Sequence, residues 1–379
     1  MRELGIYVHW PYCARICPYC DFNVVREQGR AVEKTALVEA IVADLVAHAE
    51  LTGERHLKSI FFGGGTPSLM APDSIGRIVG VAKGLWSAVE DLEVSLEANP
   101  TDAEAARFSE IAAAGVNRLS LGVQSLNDRA LAFLGRNHDA HTAITAIEVA
   151  GRLFDRLSID LIYALPGQSA AAWTEELREA IAFGCEHLSP YQLSIEPGAA
   201  FHRAVGRGAF EPASDDLAAD LYDVTQTVLG EKGFDAYEVS NHARGGAARS
   251  RHNLIYWQGG DYLGVGPGAH GRLTFGAGRW ATKAPDRVPD YIRHVRETGL
   301  GSERDPLGPR EAASERLVMG LRTSDGVGLC EIRDLQIPPA KFVEYGDFVA
   351  VHDGRLFATA PGRLVLDRVV AELARASTS

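Results

Sequence analysis

Strand-like and helical segments alternate through the first 233 residues, and this alternation constrains the fold more than any other feature. Short apolar runs typical of strands occupy residues 4–9, 59–62, 92–96, 118–121, 157–163 and 187–193. Strands that alternate with helices pair in parallel, so the sequence predicts an α/β fold. Six strand–helix units are fewer than a closed (β/α)8 barrel needs, so we expect a partial (β/α)6 barrel.

The character of the sequence changes after Gly233. Segment 234–285 is rich in glycine, aromatic and polar residues, which indicates irregular or β structure packed on the barrel's edge. Helical patterns then precede two β-like runs, around Gly354 and Gly362, and a last helix near the C-terminus. We therefore expect a barrel domain (1–233), a connecting segment (234–285) and a smaller, mainly helical, winged-helix-like C-terminal domain (286–379).

Three cysteines near the N-terminus, Cys13, Cys17 and Cys20, stand in a C-x3-C-x2-C spacing, and the two other cysteines stand alone. Three thiolates on one short loop can hold three corners of an iron–sulfur cluster, which leaves the fourth iron open to a non-protein ligand. The spacing also allows a zinc site with His9 as the fourth ligand. A disulfide plus a free thiol is disfavoured, because the cysteine count is odd and no signal peptide is visible.

A glycine-rich loop, Gly63-Gly-Gly-Thr-Pro67, ends the second predicted strand. Glycines without Cβ atoms let backbone groups come close to a ligand. A tight turn is the simpler alternative, although such a turn needs fewer than three glycines. We therefore expect Gly64, Gly65 and Thr66 to contact a ligand at this end of the barrel.

Polar residues also mark the next three strands. Glu97, Gln124 and Asp160 lie on or at the ends of the third, fourth and fifth strands, and Arg136 follows the fourth. The carboxylates can accept hydrogen bonds from ribose hydroxyls and from an ammonium group. The planar guanidinium of Arg136 can form bidentate hydrogen bonds with a carboxylate. Each could instead be an ordinary loop residue. Asp160 is the strongest candidate for a ligand contact, since a carboxylate inside an apolar strand needs a partner.

His252 lies in the stretch Arg251-His-Asn-Leu-Ile-Tyr-Trp257 and is a candidate axial ligand for a metalloporphyrin. Tyr256 and Trp257 would supply aromatic surface for such a ring. The residues alone favour the alternative, a hydrogen-bonded structural histidine.

The acidic composition and the missing targeting patterns exclude several classes of protein. The formal net charge of −12 disfavours a general nucleic-acid binder. No run of about 18 apolar residues is present, so we expect no membrane span. The N-terminus lacks a signal-peptide pattern, so we expect a cytoplasmic protein.

Ordered motifs along nearly the whole chain resemble the radical S-adenosylmethionine (SAM) family. More narrowly, the chain is similar to the group that contains the oxygen-independent coproporphyrinogen III oxidases (HemN) and the HemW haem chaperones. The motifs are Tyr7-Val-His-Trp-Pro-Tyr-Cys13, the cysteine triad, Gly63-Gly-Gly-Thr-Pro67, Glu97-Ala-Asn-Pro100, Gly122-Val-Gln-Ser125, Asp160-Leu-Ile-Tyr-Ala-Leu-Pro-Gly167, Ile195-Glu-Pro-Gly198, Tyr237-Glu-Val-Ser-Asn241 and Gly320-Leu-Arg-Thr323.

The resemblance implies a radical SAM barrel whose Cys13, Cys17 and Cys20 hold a [4Fe–4S] cluster. SAM would occupy the open iron through its amino and carboxylate groups. Positions carried over as SAM contacts are Tyr7, Tyr19, Gly64, Gly65, Thr66, Glu97, Gln124, Arg136 and Asp160. A reductant would reduce the cluster, and an electron from the reduced cluster would cleave SAM to methionine and a deoxyadenosyl radical.

Two features indicate which branch of the group the chain resembles. Phe22 stands where the oxidases have a further cysteine, and the first strand begins almost at Met1, whereas the oxidases carry a longer N-terminal extension. The stretch from His252 to Trp257 resembles the H-N-x-x-Y-W motif of the chaperones, whose histidine is associated with haem. The resemblance thus implies a haem chaperone with haem-accepting client proteins, and it is compatible with a homodimer. The alternatives are a coproporphyrinogen III oxidase or another radical SAM enzyme acting on haem.

Overall fold

The computed structural model describes residues 1–276 and 278–375. The strands are β1 Arg2–Trp10, β2 Tyr12–Cys13, β3 Val25–Arg26, β4 Arg55–Gly64, β5 Ser87–Ala98, β6 Arg118–Gln124, β7 Arg156–Tyr163, β8 His187–Gln192, β9 Asp235–Ala236, β10 His242–Ala243, β11 Asp261–Val265, β12 His270–Phe275, β13 Gly278–Lys283, β14 Glu303–Leu307, β15 Val327–Gly328, β16 Val349–His352 and β17 Arg355–Ala358.

The helices alternate with these strands through the first two thirds of the chain and dominate the last third. They are α1 Ala31–Thr52, α2 Pro72–Leu85, α3 Asp102–Ala105, α4 Phe108–Ala113, α5 Asp128–Phe133, α6 Ala140–Leu153, α7 Ala170–Ala182, α8 Ala200–Gly206, α9 Asp215–Glu231, α10 Arg251–Trp257, α11 Val288–Thr298, α12 Pro309–Leu321, α13 Pro339–Glu344, α14 Ala360–Leu364 and α15 Leu366–Arg375. No described helix is long and apolar enough to cross a membrane.

Six strands form the predicted partial barrel. β1, β4, β5, β6, β7 and β8 pair in chain order, and every one of these pairs is parallel. The α/β fold and the partial (β/α)6 barrel are therefore confirmed. At the far edge of this array β8 pairs antiparallel with β10, so within the described residues the barrel stays open.

Alternation along each barrel strand explains why one face is apolar and the other polar. In β7, Leu157, Ile159 and Leu161 lie in the main hydrophobic core, whereas Ser158 and Asp160 point to the opposite face. Successive side chains of a strand point to opposite faces, so this period of two separates a helix-covered face from a polar interior. The polar interior is where the chemistry-bearing residues lie.

The connecting segment contributes to both edges of the sheet. β9 and β10 extend it beside β8, while β11 pairs in parallel with β1 and adds a seventh parallel strand. β12, β13 and β14 continue the sheet antiparallel beyond β11. Because β14 starts at Glu303, the barrel's sheet runs past the expected boundary at residue 285.

The stretch 251–257, expected to be irregular or β structure, is instead the helix α10. Ser250 caps its first turn by accepting a hydrogen bond from the Asn253 amide. The carboxylate of Glu93 accepts hydrogen bonds from the amides of Arg251 and His252. Free amides at a helix start favour a negative charge, and a carboxylate from a distant strand is not visible in local sequence.

A second hydrophobic core begins at Ala313 and organises the C-terminal part of the chain. α12 and α15 pack against each other beside an antiparallel three-stranded sheet in the order β15-β17-β16. The β-like run around Gly354 is the β16–β17 hairpin, as predicted. The run around Gly362 is the helix α14, because Thr359 caps it and proline occupies its first turn.

Candidate functional site

The three clustered cysteines lie on one loop that follows β1, here called the cysteine loop (residues 13–20). Cys13 is buried at the end of β2, and a turn brings the amide of Cys20 within 3.2 Å of the Cys17 carbonyl. Burial and the neighbouring thiols raise the pKa of the Cys13 thiol to about 11, against a hydrogen bond from Thr66. These thiols therefore stay protonated by themselves, and a bound metal would stabilise their thiolate forms.

A chain of contacts ties the cysteine loop to the ends of the neighbouring barrel strands. The hydroxyl of Thr66, after β4, donates to the Cys13 sulfur at 3.6 Å and accepts from the Asn99 amide group at 3.1 Å. Arg136, after α5, donates to the Cys17 sulfur at 3.3 Å and to the Asn99 side-chain oxygen. A continuous path of side chains therefore joins the first thiol to the second.

Arg136 is the centre of this arrangement. Its guanidinium also donates to the Gly122 carbonyl at 2.9 Å and contacts the Tyr19 hydroxyl at 3.4 Å. Its buried Nε–H has no partner among the described residues. This N–H is therefore available to an acceptor such as a ligand carboxylate.

The donor set fits an iron–sulfur cluster better than zinc. Both ring nitrogens of His9 are engaged, Nδ1 with the Tyr7 hydroxyl at 3.0 Å and Nε2 with the Asn23 carbonyl at 2.9 Å. His9 is therefore not free to be the fourth zinc ligand. Among the described residues, no three His, Cys, Asp or Glu side chains are grouped as ligands around one metal position.

The glycine-rich loop packs tightly against the chain just before the cysteine loop. A Cβ on Gly65 would lie 2.8 Å from backbone atoms of residues 10–12, and the Gly65 amide donates to the Trp10 carbonyl. Gly64 has a φ of 107° and faces the His9 ring, which a Cβ would meet at 2.4 Å. Protein atoms thus already account for both glycines, whether or not a ligand also approaches them.

Two carboxyl groups, Glu97 and Asp160, face the barrel interior. Asp160 accepts hydrogen bonds from Ser120 at 2.8 Å and Ser158 at 3.1 Å, and Glu97 accepts one from the Gly64 amide at 3.1 Å. Burial and then the charge of Asp160 raise the pKa of Glu97 to about 7, and burial raises that of Asp160 as well. Like charges in a desolvated interior are stabilised by a cationic or hydroxyl-bearing ligand.

Three more predicted residues lie at the same end of the barrel. Tyr7 packs beside Gly63, and the charge of Glu97 acts on its hydroxyl. Tyr19 packs on Phe201 with ring centroids 6.4 Å apart. Gln124 has a φ of 68°, which is strained for a residue other than glycine and is commonly found at functional sites.

His252 lies inside the barrel rather than at a surface. Its Nδ1 contacts the Ser59 hydroxyl at 2.8 Å, its Nε2 contacts the Tyr256 hydroxyl at 2.5 Å, and its side chain is buried. Burial lowers the pKa of the ring to about 3, so it is neutral. With Glu93 at its backbone, it forms a closed set, here called the His252 network (Ser59, Glu93, His252, Tyr256). An iron ligand here would have to replace one of these bonds.

Sequence reasoning missed several polar residues of the interior, among them Asn99 and Arg118. Asn99 joins Thr66 to Arg136, although it was visible only as part of the Glu-Ala-Asn-Pro motif. The buried Arg118, at the start of β6, lowers the pKa of Glu93 and opposes the rise in that of Glu97. The alternation of polar with apolar residues along β5 to β8 is the signal that could have identified them.

Comparison with known proteins agrees with this fold. Residues 7–180 match the family model of the radical SAM superfamily, whose members carry a [4Fe–4S] cluster and SAM. "Radical S-adenosyl methionine domain-containing protein 1, mitochondrial" of Bos taurus is 44% identical over 86% of this chain and 74% of its own length. "Heme chaperone HemW" of Mycobacterium tuberculosis is 34% identical over 98% of this chain and 95% of its own.

The fold is also that of a solved structure. Coproporphyrinogen III oxidase (HemN) from Escherichia coli superposes with a TM-score of 0.80 over 98% of this chain and 90% of that chain, at 21% sequence identity. The chain belongs to the HemW-type family of radical SAM proteins, which confirms the resemblance inferred from its motifs.

Proposed function

We propose that this protein is a haem chaperone, which binds haem and delivers it to haem-dependent client proteins. It would carry a [4Fe–4S] cluster on Cys13, Cys17 and Cys20, with SAM at the open iron. Two relatives named as haem chaperones, which match 98% and 85% of this chain, support the haem part of this proposal. The observation that carries the cofactor part is the path of side chains from Cys13 through Thr66, Asn99 and Arg136 to Cys17.

The predicted SAM contacts would divide the binding of the ligand among them. The unpaired Nε–H of Arg136 is available to a ligand carboxylate. Glu97 and Asp160 would accept hydrogen bonds from ribose hydroxyls or face the ligand's positive charge. The rest of the pocket would be lined by Tyr7, Tyr19, Gln124 and the loop 64–66. When bound, the reduced cluster supplies the electron that splits SAM.

The haem site is the less defined part of the proposal. His252 was the candidate ligand, but both its ring nitrogens are engaged and its side chain is buried. Haem ligation by His252 would require α10 to move or the Tyr256 bond to break. We therefore propose that haem is the cargo and that His252 binds the haem iron only when the protein adopts an opened form.

The rival function is oxygen-independent coproporphyrinogen III oxidation, which the HemN-like fold accommodates. Phe22, at the position of the oxidases' further cysteine, is 61% exposed and argues against it. A radical SAM enzyme acting on haem itself is the other alternative. A cytoplasmic location, an external reductant, client proteins and a homodimer remain proposals, and some relatives carry "mitochondrial" in their names.

One preparation can decide among these functions. The cluster is reconstituted anaerobically, and the protein is then tested for coproporphyrinogen turnover, for haem binding by titration and for haem transfer to an apo-haemoprotein. We expect haem binding and transfer without formation of protoporphyrinogen. Turnover of coproporphyrinogen would refute the chaperone function, and chemical alteration of the haem would support the second alternative.

A further inference from the structure

A stack of aromatic rings leads from the proposed SAM pocket through the barrel wall. Tyr7 stacks on Phe61 with centroids 6.2 Å apart, and Phe61 stacks on His252 at 5.0 Å. His252 meets Tyr256 at 4.7 Å, and Tyr256 meets Tyr262 at 4.4 Å, both edge to face. Each ring therefore touches the next, in geometries that aromatic pairs favour.

The far end of this stack reaches a small cavity. Tyr256 and Tyr262 line a cavity of about 90 Å³ between the barrel and α12, together with Arg272, Arg279 and Glu315. The near end, Tyr7, lies beside Gly63 and within the electrostatic reach of Glu97. The stack thus connects the pocket with the seam between the barrel and the C-terminal core.

Two of the three tyrosines in the stack are hydrogen-bonded to a neutral histidine. The Asn23 carbonyl can only accept, so His9 must carry its proton on Nε2. The unprotonated Nδ1 therefore accepts the Tyr7 hydroxyl proton. His252 can donate Nδ1–H to the Ser59 hydroxyl, which leaves its Nε2 to accept from Tyr256. A tyrosine loses an electron more easily when its proton can pass to such a base.

We propose that Tyr7, Tyr256 and Tyr262 form a protective relay that carries oxidising equivalents from the SAM pocket to the seam cavity. This inference rests on the proposed radical SAM function. A carbon-centred radical formed in the pocket without a substrate would otherwise attack the barrel. The relay would quench it, and the stacked Phe61 and His252 rings would carry the electron between Tyr256 and Tyr7.

The relay balances in electrons and protons. Tyr7 gives one electron and Glu97 gives one proton to the pocket radical, forming a C–H bond, while the Tyr7 proton moves to His9. An electron from Tyr256 then restores Tyr7, which takes its proton back from His9, as the Tyr256 proton moves to His252. Tyr262 restores Tyr256 in the same way and releases its own proton into the cavity.

A thiol in the medium completes the cycle. The thiol gives one electron to the oxidised Tyr262, and the cavity returns a proton to Tyr262. The thiol's proton goes to solvent, and Glu97 takes up a proton from solvent. The net change is one pocket radical and one thiol converted into a closed-shell C–H product and a thiyl radical.

The chain contains a matched control for the relay. Tyr237 is also buried and hydrogen-bonded to a histidine, His187, at 2.8 Å, but it makes no described ring contact with the stack. Tyr256→Phe and Tyr237→Phe each remove one hydroxyl from a Tyr–His pair and keep the ring. Thermal unfolding of both variants checks that the fold survives.

The first experiment uses light and needs neither cluster nor SAM. Full-length protein is oxidised by a flash-excited ruthenium sensitiser with a quencher, and tyrosyl radicals are followed by EPR with ring-deuterated tyrosine. We expect a long-lived tyrosyl radical in the wild type, a several-fold lower yield in Tyr256→Phe and an unchanged yield in Tyr237→Phe. Equal behaviour of the two variants, or no long-lived radical, would overturn the relay.

The second experiment uses the reconstituted protein with SAM and dithionite and without substrate. We expect Tyr256→Phe to accumulate several-fold more covalent damage in peptides around Tyr7 and Gly63, as measured by mass spectrometry, than the wild type or Tyr237→Phe. Damage equal in all three proteins would overturn the relay. If no SAM is cleaved, the proposed cofactor chemistry fails, and the light-driven experiment still decides the relay on its own.

Discussion

The cysteine loop and the His252 network both carry motif residues, yet they differ in how their polar atoms are satisfied. Around the cysteine loop, three thiols lie close together and Arg136 keeps an unpaired buried N–H. In the nearby barrel interior, the charge of Asp160 raises the pKa of Glu97. In the His252 network, both ring nitrogens have protein partners. Buried polar groups without partners indicate a missing ligand, whereas a closed network indicates a structural or positioning role.

This difference changes how the H-N-x-x-Y-W motif is interpreted. The motif's histidine and tyrosine lie four residues apart on one helical turn, so that they hydrogen-bond to each other. Trp257 carries the motif to the C-terminal core, where the Arg322 guanidinium lies 4.9 Å from its ring and Arg316 donates to its carbonyl at 2.7 Å. The motif therefore joins the barrel to the second core, whatever its role toward haem.

The largest expected effect is at the cysteine loop. Cys17→Ser should abolish the cluster, because the loop supplies only three thiols and Cys17 is also the one held by Arg136. The measurement is visible absorbance and iron content after anaerobic reconstitution. Cys330→Ser is the control, because Cys330 is exposed and far along the chain, and it should leave the cluster intact. Full cluster content in Cys17→Ser, or zinc in place of iron, would contradict the assignment.

The His252 network should respond in stability. His252→Ala leaves the Ser59 and Tyr256 hydroxyls without their partner and opens a cavity, so we expect the free energy of unfolding to fall by about 3 kcal/mol. Urea denaturation gives this value, and haem titration of the same variant gives the second readout. Unchanged stability with lost haem binding would instead make His252 a ligand and remove the contrast between the two regions.

Arg136 tests whether the unpaired N–H serves a ligand. Arg136→Lys keeps the charge but loses the planar fork, so SAM affinity should fall about tenfold, roughly 1.4 kcal/mol. Calorimetric titration of SAM into reconstituted protein measures it, with Arg129→Lys, on the exposed side of α5, as the control. Unaltered affinity would mean that the N–H has no ligand acceptor.

The smallest effect concerns pH. The pKa of Glu97, about 7, lies above its unfolded value, so the folded protein binds more protons between about pH 4.5 and 7. Stability from this group is therefore present at low pH and decreases as the pH rises through that window. Glu97→Gln should flatten this slope in chemical denaturation at a series of pH values. An identical slope would show that Glu97 titrates alike in the folded and the unfolded protein.

Much of the fold was predictable because its signals are local. The short apolar runs and the helical spacing between them identified six parallel strands of a partial barrel. Local capping was less visible: α14 was read as a β-like run, although Thr359 and the following proline favour a helix start. The seventh parallel strand, β11, was missed because its pairing with β1 joins residues more than 250 positions apart.

By itself, the sequence determined the family, the cysteine triad and the strand ends that carry polar residues. These depend on residue type, spacing and periodicity, which the chain displays directly. Only the tertiary structure decided that Asn99 and Arg136 complete the path between the thiols, and that His252 is enclosed by Ser59, Glu93 and Tyr256. Whether a polar atom is satisfied depends on partners from distant strands, and no local pattern records those partners.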